Sequence, residues 1–347
     1  MSLLTGTPLT YSGQQAVDFV IRPAVTTGRI EDFMKVVYGV KEQQQVIFTE
    51  PIYKITKKDE GCGSEPENPT IVQSEKYWNP TRVEAWVDQC YKDVTGTIFE
   101  KELKAGVDAP DLTNTKIEKF LLDRLEPAAY SDFMRMAWLS KKAIVGAELT
   151  NGNADVKHYN QIDGIWALIF AAVTALKIKR TVISENNGLA GAQGLGSGRA
   201  IAILRAVWAN SPTVLKQTKK GDQVCYVTRE FYEEYETYLE SKDSLESSYT
   251  KLQDGQTTLM FRGVPLVIVD IVDQFLDSDF NLNGKITMPH RVIRTVKDNF
   301  QIGLDGDTTD PTAMEVWYER TPKKWNARLG YKLAAMIAEE KYVSVAY

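Results

Sequence analysis

Histidine is scarce in this chain. His158 and His290 are the two among 347 residues, and neither has a catalytic companion near it in sequence. So thin a supply argues against a histidine-based metal centre or general base. Cysteine is scarce too: Cys62, Cys90 and Cys225 are odd in number and lack metal-ligand spacing. That fits a reducing compartment better than a disulfide framework. The longest apolar run, Gly164 to Leu176, is too short to span a bilayer and reads as a buried helix. The opening Met1-Ser2-Leu3-Leu4 lacks the basic flank and apolar core of a secretion signal, so a soluble chain made in the cytosol of its producer is expected. A net charge of -5 provides no basic excess for bulk nucleic-acid binding. No G-x-S-x-G or H-E-x-x-H occurs, and no catalytic residue, metal or cofactor is expected.

What is present has globular proportions, 43% hydrophobic and 25% charged, in a chain long enough for one large domain or two ordinary ones. The most ordered stretch runs from Gly221 to Asp270. Val224-Cys225-Tyr226-Val227-Thr228 reads as a buried strand. A helix follows, capped by Thr228, with Phe231, Tyr235 and Leu239 on one face and Glu233, Glu234 and Glu236 toward solvent. The run Leu259 to Asp270 reads as one returning strand, with a kink or bulge at Gly263 and Pro265.

Residues 1–45 are a poor core, with one helical patch at Ile30 to Val37. They read either as a surface-hugging segment or as an arm on a neighbouring subunit. Val46–Thr56, Ile71–Trp78 and Arg82–Tyr91 read as strands of a long hairpin whose tip, Lys57 to Pro69, is polar. Such a hairpin needs a surface to lie on. Leu112 to Lys142 is the longest helical pattern, with Thr113 or Asn114 as cap, and Pro127 is expected to kink it or start a second helix. A helix over Arg199 to Asn210 precedes the ordered unit. From Val292 on, strands are expected, with Val296–Leu304 and Met314–Glu319 flanking an acidic turn and Arg328–Val345 closing the chain.

Two motifs imitate ligand sites. Gly194, Gly196 and Gly198 before a helix resemble a phosphate cradle, but the third glycine is one position early for a dinucleotide loop and Arg199-Ala200 replaces the P-loop Lys-Ser/Thr. Asp279 to Thr287 follows the start of a calcium loop, but its twelfth position is His290 where a bidentate Glu is needed. A flexible loop and a turn are the simpler readings.

The order of parts, with three stretches, resembles the major capsid proteins of tailed bacteriophages, a fold shared with the herpesvirus capsid floor and encapsulins. The stretches are Tyr159-Asn160-Gln161-Ile162-Asp163-Gly164-Ile165-Trp166, Val224 to Tyr235 with Phe261 to Val267, and Trp325 to Ala334. The resemblance implies an α+β fold. Its parts would be an arm at 1–45, an extended hairpin loop at 46–91, a peripheral domain at 92–149 and 292–347 with a spine helix over 112–142, and an axial domain at 150–291, the last residues rejoining the axial domain. It implies a structural protein, not an enzyme, that assembles as pentamers and hexamers into the icosahedral virion shell around double-stranded DNA, with no sequence-specific contact to it. A portal, a decoration protein and, since the chain starts at the arm, a separate scaffolding protein are implied partners; no membrane is. Subunit contacts are expected at Arg22 and Arg29 in the arm and at Lys54, Lys57, Lys58, Cys62, Lys76, Tyr77 and Trp78 on the hairpin. Some relatives join a loop lysine to an asparagine of another subunit; Asn299 and Asn326 are available, but no carboxylate is identified to take the lysine proton, so no cross-link is expected. Alternatives are an encapsulin-like compartment and a nucleotide-dependent enzyme built on the loop 188–198.

Overall fold

The computed structural model describes residues 30–49, 55–59, 73–93, 100, 103–242, 249–251, 257–306 and 315–347. It begins with helix α1 (Ile30–Phe33) and strand β1 (Lys35–Tyr38), then β2 (Gln45–Thr49), β3 (Gln73–Tyr77), β4 (Thr81–Cys90) and the long helix α2 (Lys116–Leu139). Next come α3 (Asn153–Tyr159), α4 (Ile165–Thr174), β5 (Lys179–Thr181), α5 (Arg199–Asn210), α6 (Thr213–Gln217), β6 (Gln223–Val227) and α7 (Arg229–Glu240). Strands β7 (Tyr249–Lys251), β8 (Thr257–Phe261) and β9 (Val264–Ile268) lead to α8 (Asp270–Asp279), and β10 (Asn281–Leu282) to β11 (Lys285–Ile286). The chain closes with β12 (Val292–Val296), β13 (Phe300–Leu304), β14 (Glu315–Glu319), β15 (Lys324–Ile337) and β16 (Ser344–Ala346).

Among the described residues these elements build two large sheets and two two-stranded ones, β2–β3 and β10–β11. The larger has the order β5-β16-β12-β6-β9-β8-β7. All five residues of β6 are buried, because both faces of the sheet are covered. Val224, Tyr226 and Ile293 pack toward α2, α4 and α8, while Cys225, Val227 and Val292 pack toward α5 and α7. The second sheet is arranged around β15, with β4 along one side and β13 and β14 sharing the other; β1 adds in parallel to β13. Helix α2 ties the two sheets together. Its first turns bury Ile117 and Leu121 against Trp325 and Ala327. Near its end Trp138 meets Phe33, Tyr226 and Phe300 with ring centroids 5.7–6.3 Å apart, three favourable edge-on contacts.

Several expectations change. Residues 30–40 are not a surface arm: Ile30, Met34 and Val40 are fully buried, and the expected helix stops at Phe33, where β1 takes over to pair with β13. Residues 1–29 lie outside the described residues. Among the described residues the hairpin pairs β2 with β3, while β4 leaves it to pair with β15 over ten residues, Thr81 to Cys90. Helix α2 is capped by Thr115, whose hydroxyl accepts the Glu118 N–H, and not by Thr113 or Asn114. It runs unbroken through Pro127, where exposure leaves the unpaired carbonyl to water. Thr228 occupies the N-cap of α7, but its hydroxyl accepts the Arg291 N–H; the Arg229 N–H is taken by Asp273 instead. Leu259 to Asp270 is a hairpin rather than one strand. Arg262 and Gly263, with φ of 53° and 82°, form the two-residue turn between β8 and β9, a conformation that suits glycine and strains arginine. Helix α4 is buried on one face only, with Ala171 and Thr174 exposed. Finally, β12 belongs to the seven-stranded sheet, so the chain crosses to the second sheet between Val296 and Phe300 rather than at Val292, and β16 returns.

Candidate subunit-contact surface

Strands β2 and β3 form a ribbon that stands apart from both sheets, with register Gln45↔Tyr77 to Thr49↔Gln73. Their sequences explain why. Gln73-Ser74-Glu75-Lys76-Tyr77 has no apolar face to bury, and β2 places Ile47 in solvent at 59% exposure. A lone two-stranded ribbon is marginal in water, so its base must be fastened.

Two side chains fasten it. Trp78 is buried with Val40, Ala334 and Met336. A β-carbon on Gly303 would stand 3.0 Å from the Trp78 ring, so glycine is what lets the indole lie on β13. Lys76 donates to the Ile337 carbonyl at 2.7 Å and meets Glu340 at 2.8 Å. Burial opposes ionisation of Glu340, but the hydrogen bond and charge of Lys76 outweigh it and hold the carboxyl below its usual range. Between this base, the exposed side of α4 and the end of β15 lies an open groove of about 460 Å³, lined by Tyr77, Asn79, Leu168, Ala171, Ala172, Ala175 and the stretch 334–337.

Of the residues expected at contacts, Tyr77 is exposed on the ribbon, and Lys57 and Lys58 are exposed beyond it. Lys76 and Trp78 are turned inward as the anchors just described and hold the ribbon. Lys54, Cys62, Arg22 and Arg29 lie outside the described residues. Sequence reading missed a second surface. On the outer face of β4, β14 and β15, Trp86 is 60% exposed, with its centroid 6.4 Å from Trp317. Glu84–Arg328 and Lys324–Asp88 ion pairs flank it. The signal was present: alternation in Arg82-Val83-Glu84-Ala85-Trp86-Val87-Asp88 puts Trp86 on the charged side.

No protein-family profile and no curated protein matches this chain. Solved structures do. A chain of the satellite phage P4 procapsid, in the structure that includes the size determination (Sid) protein, superposes with a TM-score of 0.56 at 12% identity, over 95% of this chain and 93% of that one. The capsid of cyanophage P-SCSP1u superposes at 0.51 with 10% identity, over 99% and 95%. The chain has the phage capsid fold. The holo-SrpI encapsulin of Synechococcus elongatus PCC 7942 shares it at 0.50 and 8% identity, over 96% and 91%. The expected α+β class agrees with this capsid fold.

Within the capsid fold the two ligand-like motifs have other work. At the start of α5, the Glu234 carboxylate accepts the Gly198 N–H at 2.5 Å and the Ala200 N–H at 2.7 Å. The anion seat of the glycine loop is thus filled by the chain's own carboxylate, one of the three glutamates expected in solvent. Arg199 is held by Glu185, whose carboxyl its hydrogen bond lowers to about 2. The calcium-like run is the β10–β11 hairpin, with Asn281 accepting the Gly284 N–H and Asp279 accepting the Tyr159 hydroxyl at 2.6 Å. His290 is fully buried, its Nε2 paired with the Gln193 carbonyl at 2.6 Å, so it pins the glycine loop to the sheet. Burial pushes the Cys225 thiol up to about 12, which makes it an inert core residue.

Proposed function

We propose that this chain is a major capsid protein that closes an icosahedral shell, as pentamers and hexamers, around a double-stranded DNA genome. The β2–β3 ribbon carries this reading: it is anchored at its base by Lys76 and Trp78 while Ile47 and Tyr77 stay exposed along it. A segment so built gains its remaining burial on another copy, and repeating such contacts around symmetry axes closes a shell. The likeness to the P4 procapsid and cyanophage capsid chains supports it. The seven-stranded sheet would form the axial domain, over 150–291 with β12 and β16 added. The five-stranded sheet and α2, as its spine helix, would form the peripheral domain. The protein would have no catalytic activity and would reside in the virion, made in the host cytoplasm. It would assemble with a separate scaffolding protein, a portal and a decoration protein.

No covalent locking is part of this proposal. Asn299 and Asn326 are buried; Asn299 pairs its amide with Thr295 and the Glu339 backbone, and the Asn326 carbonyl accepts the Trp86 indole N–H. Lys76 is committed to Glu340. An encapsulin-type compartment is the second reading, favoured by the SrpI likeness. Electron micrographs of the expressed protein test assembly: rings, sheets or shells are expected, and a compact monomer in sedimentation under every salt, scaffold and concentration condition would refute it. Nucleic acid inside particles purified from infected cells favours the phage shell; protein cargo favours the compartment.

A further inference from the structure

Six exposed cations, Lys177, Lys179, Lys219, Lys220, Arg262 and Lys297, gather at one end of the seven-stranded sheet. The strand registers put them there. Lys179 stands beside Ser344, Ser344 beside Arg294, Val296 beside Gln223, and Phe261 beside Val264. Lys297 follows β12, and its N–H donates to the carbonyl of Asp222, two residues after Lys220. Arg262 sits in the β8–β9 turn, where a β-carbon on Gly263 would lie 3.2 Å from Lys220 Cδ. From β5 to β8 is five strand spacings, so the row is about 24 Å long.

Several cations elsewhere are matched. Lys76 meets Glu340, Arg199 meets Glu185, Lys324 meets Asp88 and Arg328 meets Glu84. At the opposite end of the same sheet Arg229 is held by Asp270 and Glu233. Among the described residues none of the six in the row forms an ion pair with a carboxylate. The acidic neighbours are Asp222 and Asp298, both exposed, with Glu339 paired to Lys341 and Glu340 to Lys76. In a chain of net charge -5 this end is locally positive. A protein partner would need an apolar or aromatic anchor at the centre of the contact. The exposed apolar side chain at this end, Leu176 beside Lys177, stands at the β5 edge and not at the centre, and Phe261, beneath Arg262, is buried. A phosphate backbone needs only spaced charge.

We propose that this row binds the phosphate backbone of duplex DNA without reading its sequence, and so faces the enclosed genome. The binding surface stands on the row itself; that its partner is a packaged genome rests on the capsid reading. The test is binding of a labelled duplex of random sequence to the full-length protein, followed by fluorescence anisotropy from low to physiological salt. Binding that falls steeply with salt is expected. The K219E/K220E/K297E variant should weaken it by about tenfold or more and reduce the log–log salt slope by about three, one for each phosphate that is no longer neutralised. Thermal melting confirms that the variant is folded, and the gentler Gln triple, which should weaken binding less, serves if it is not. Micrographs of the same samples report assembly separately. No binding by wild type at low salt, or equal binding by the variants, overturns the proposal. So does an outcome in which the variant loses assembly while wild type never bound DNA, which would make the row a contact for the acidic surface of another copy. DNA binding by a protein that never forms particles keeps the row and sinks the capsid reading instead.

Discussion

Strands β3 and β6 are both five residues long, and they have opposite fates. Gln223-Val224-Cys225-Tyr226-Val227 is buried throughout, paired on both sides and covered on both faces. Gln73-Ser74-Glu75-Lys76-Tyr77 pairs with β2 alone and buries little. The first strand is held by apolar area removed from water, at about 25 cal/mol per Å². The second is held by two side chains at its base. A protein needing only to fold would have little use for the second kind of strand; a protein that folds and then joins copies of itself has a use for both.

The contrast can be broken at its strongest point. Phe231→Ala, under β6 and fully buried, should cost about 3–5 kcal/mol in denaturant unfolding, because it leaves a cavity among packed side chains. A loss below about 1 kcal/mol would mean that this core is looser than its burial indicates. At the anchor between the regions, Gly303→Val would press on the Trp78 ring and should cost about 1–3 kcal/mol while releasing the ribbon base. An unchanged melt with normal assembly would show that Trp78 is no anchor.

A smaller effect belongs to pH. Burial raises the Asp273 carboxyl to about 7, with Asp270 adding to the rise, although the Arg229 N–H and the charges of Arg229 and Arg291 oppose it. The folded form therefore holds a proton that the unfolded chain releases near pH 4, and stability should decline as pH rises from about 4 to about 7. Asp273→Asn keeps an acceptor for the Arg229 N–H and should flatten that decline; melting curves between pH 4 and 8 that match wild type would remove Asp273 from the account. On the ribbon itself, Ile47→Asp should change unfolding by no more than about 0.5 kcal/mol, since the side chain is already in water, yet lower the yield of shells. Deleting residues 57–69 should act the same way. Equal melting with equal, equally heat-resistant shells would show that the ribbon touches no neighbour. The smallest effect is none at all: shells boiled in detergent should run as one monomer band. A ladder that survives reductant would revive the lysine–asparagine bond, and one that collapses on reduction would implicate Cys62.

Local signals were legible where one short stretch carries its own pattern. The buried run at β6, the face of Phe231, Tyr235 and Leu239 on α7 and the bounds of α5 at Arg199 and Asn210 can all be read from spacing. Pro127 misled because its steric rule is local, while α2 is held at its two ends by two different cores. The contact surface was legible in part. A polar hairpin was visible, but not which of Lys76, Tyr77 and Trp78 would face inward, since that depends on Glu340 and Gly303, more than two hundred residues away.

By itself the sequence determined the α+β character, the core of the Gly221–Asp270 unit, and the scarcity of residues that could support metal or histidine chemistry. Those follow from composition and from periods of two and 3.6 residues, which each segment carries alone. Tertiary structure alone decided that β4 pairs with β15 and leaves the hairpin, that Glu234 fills the start of α5, and that cations from β5, β12, β6 and the β8–β9 turn stand in one row. Each of these joins residues distant in the chain, and the free energy that selects the partner comes from burial and pairing in the folded state, which no local pattern records.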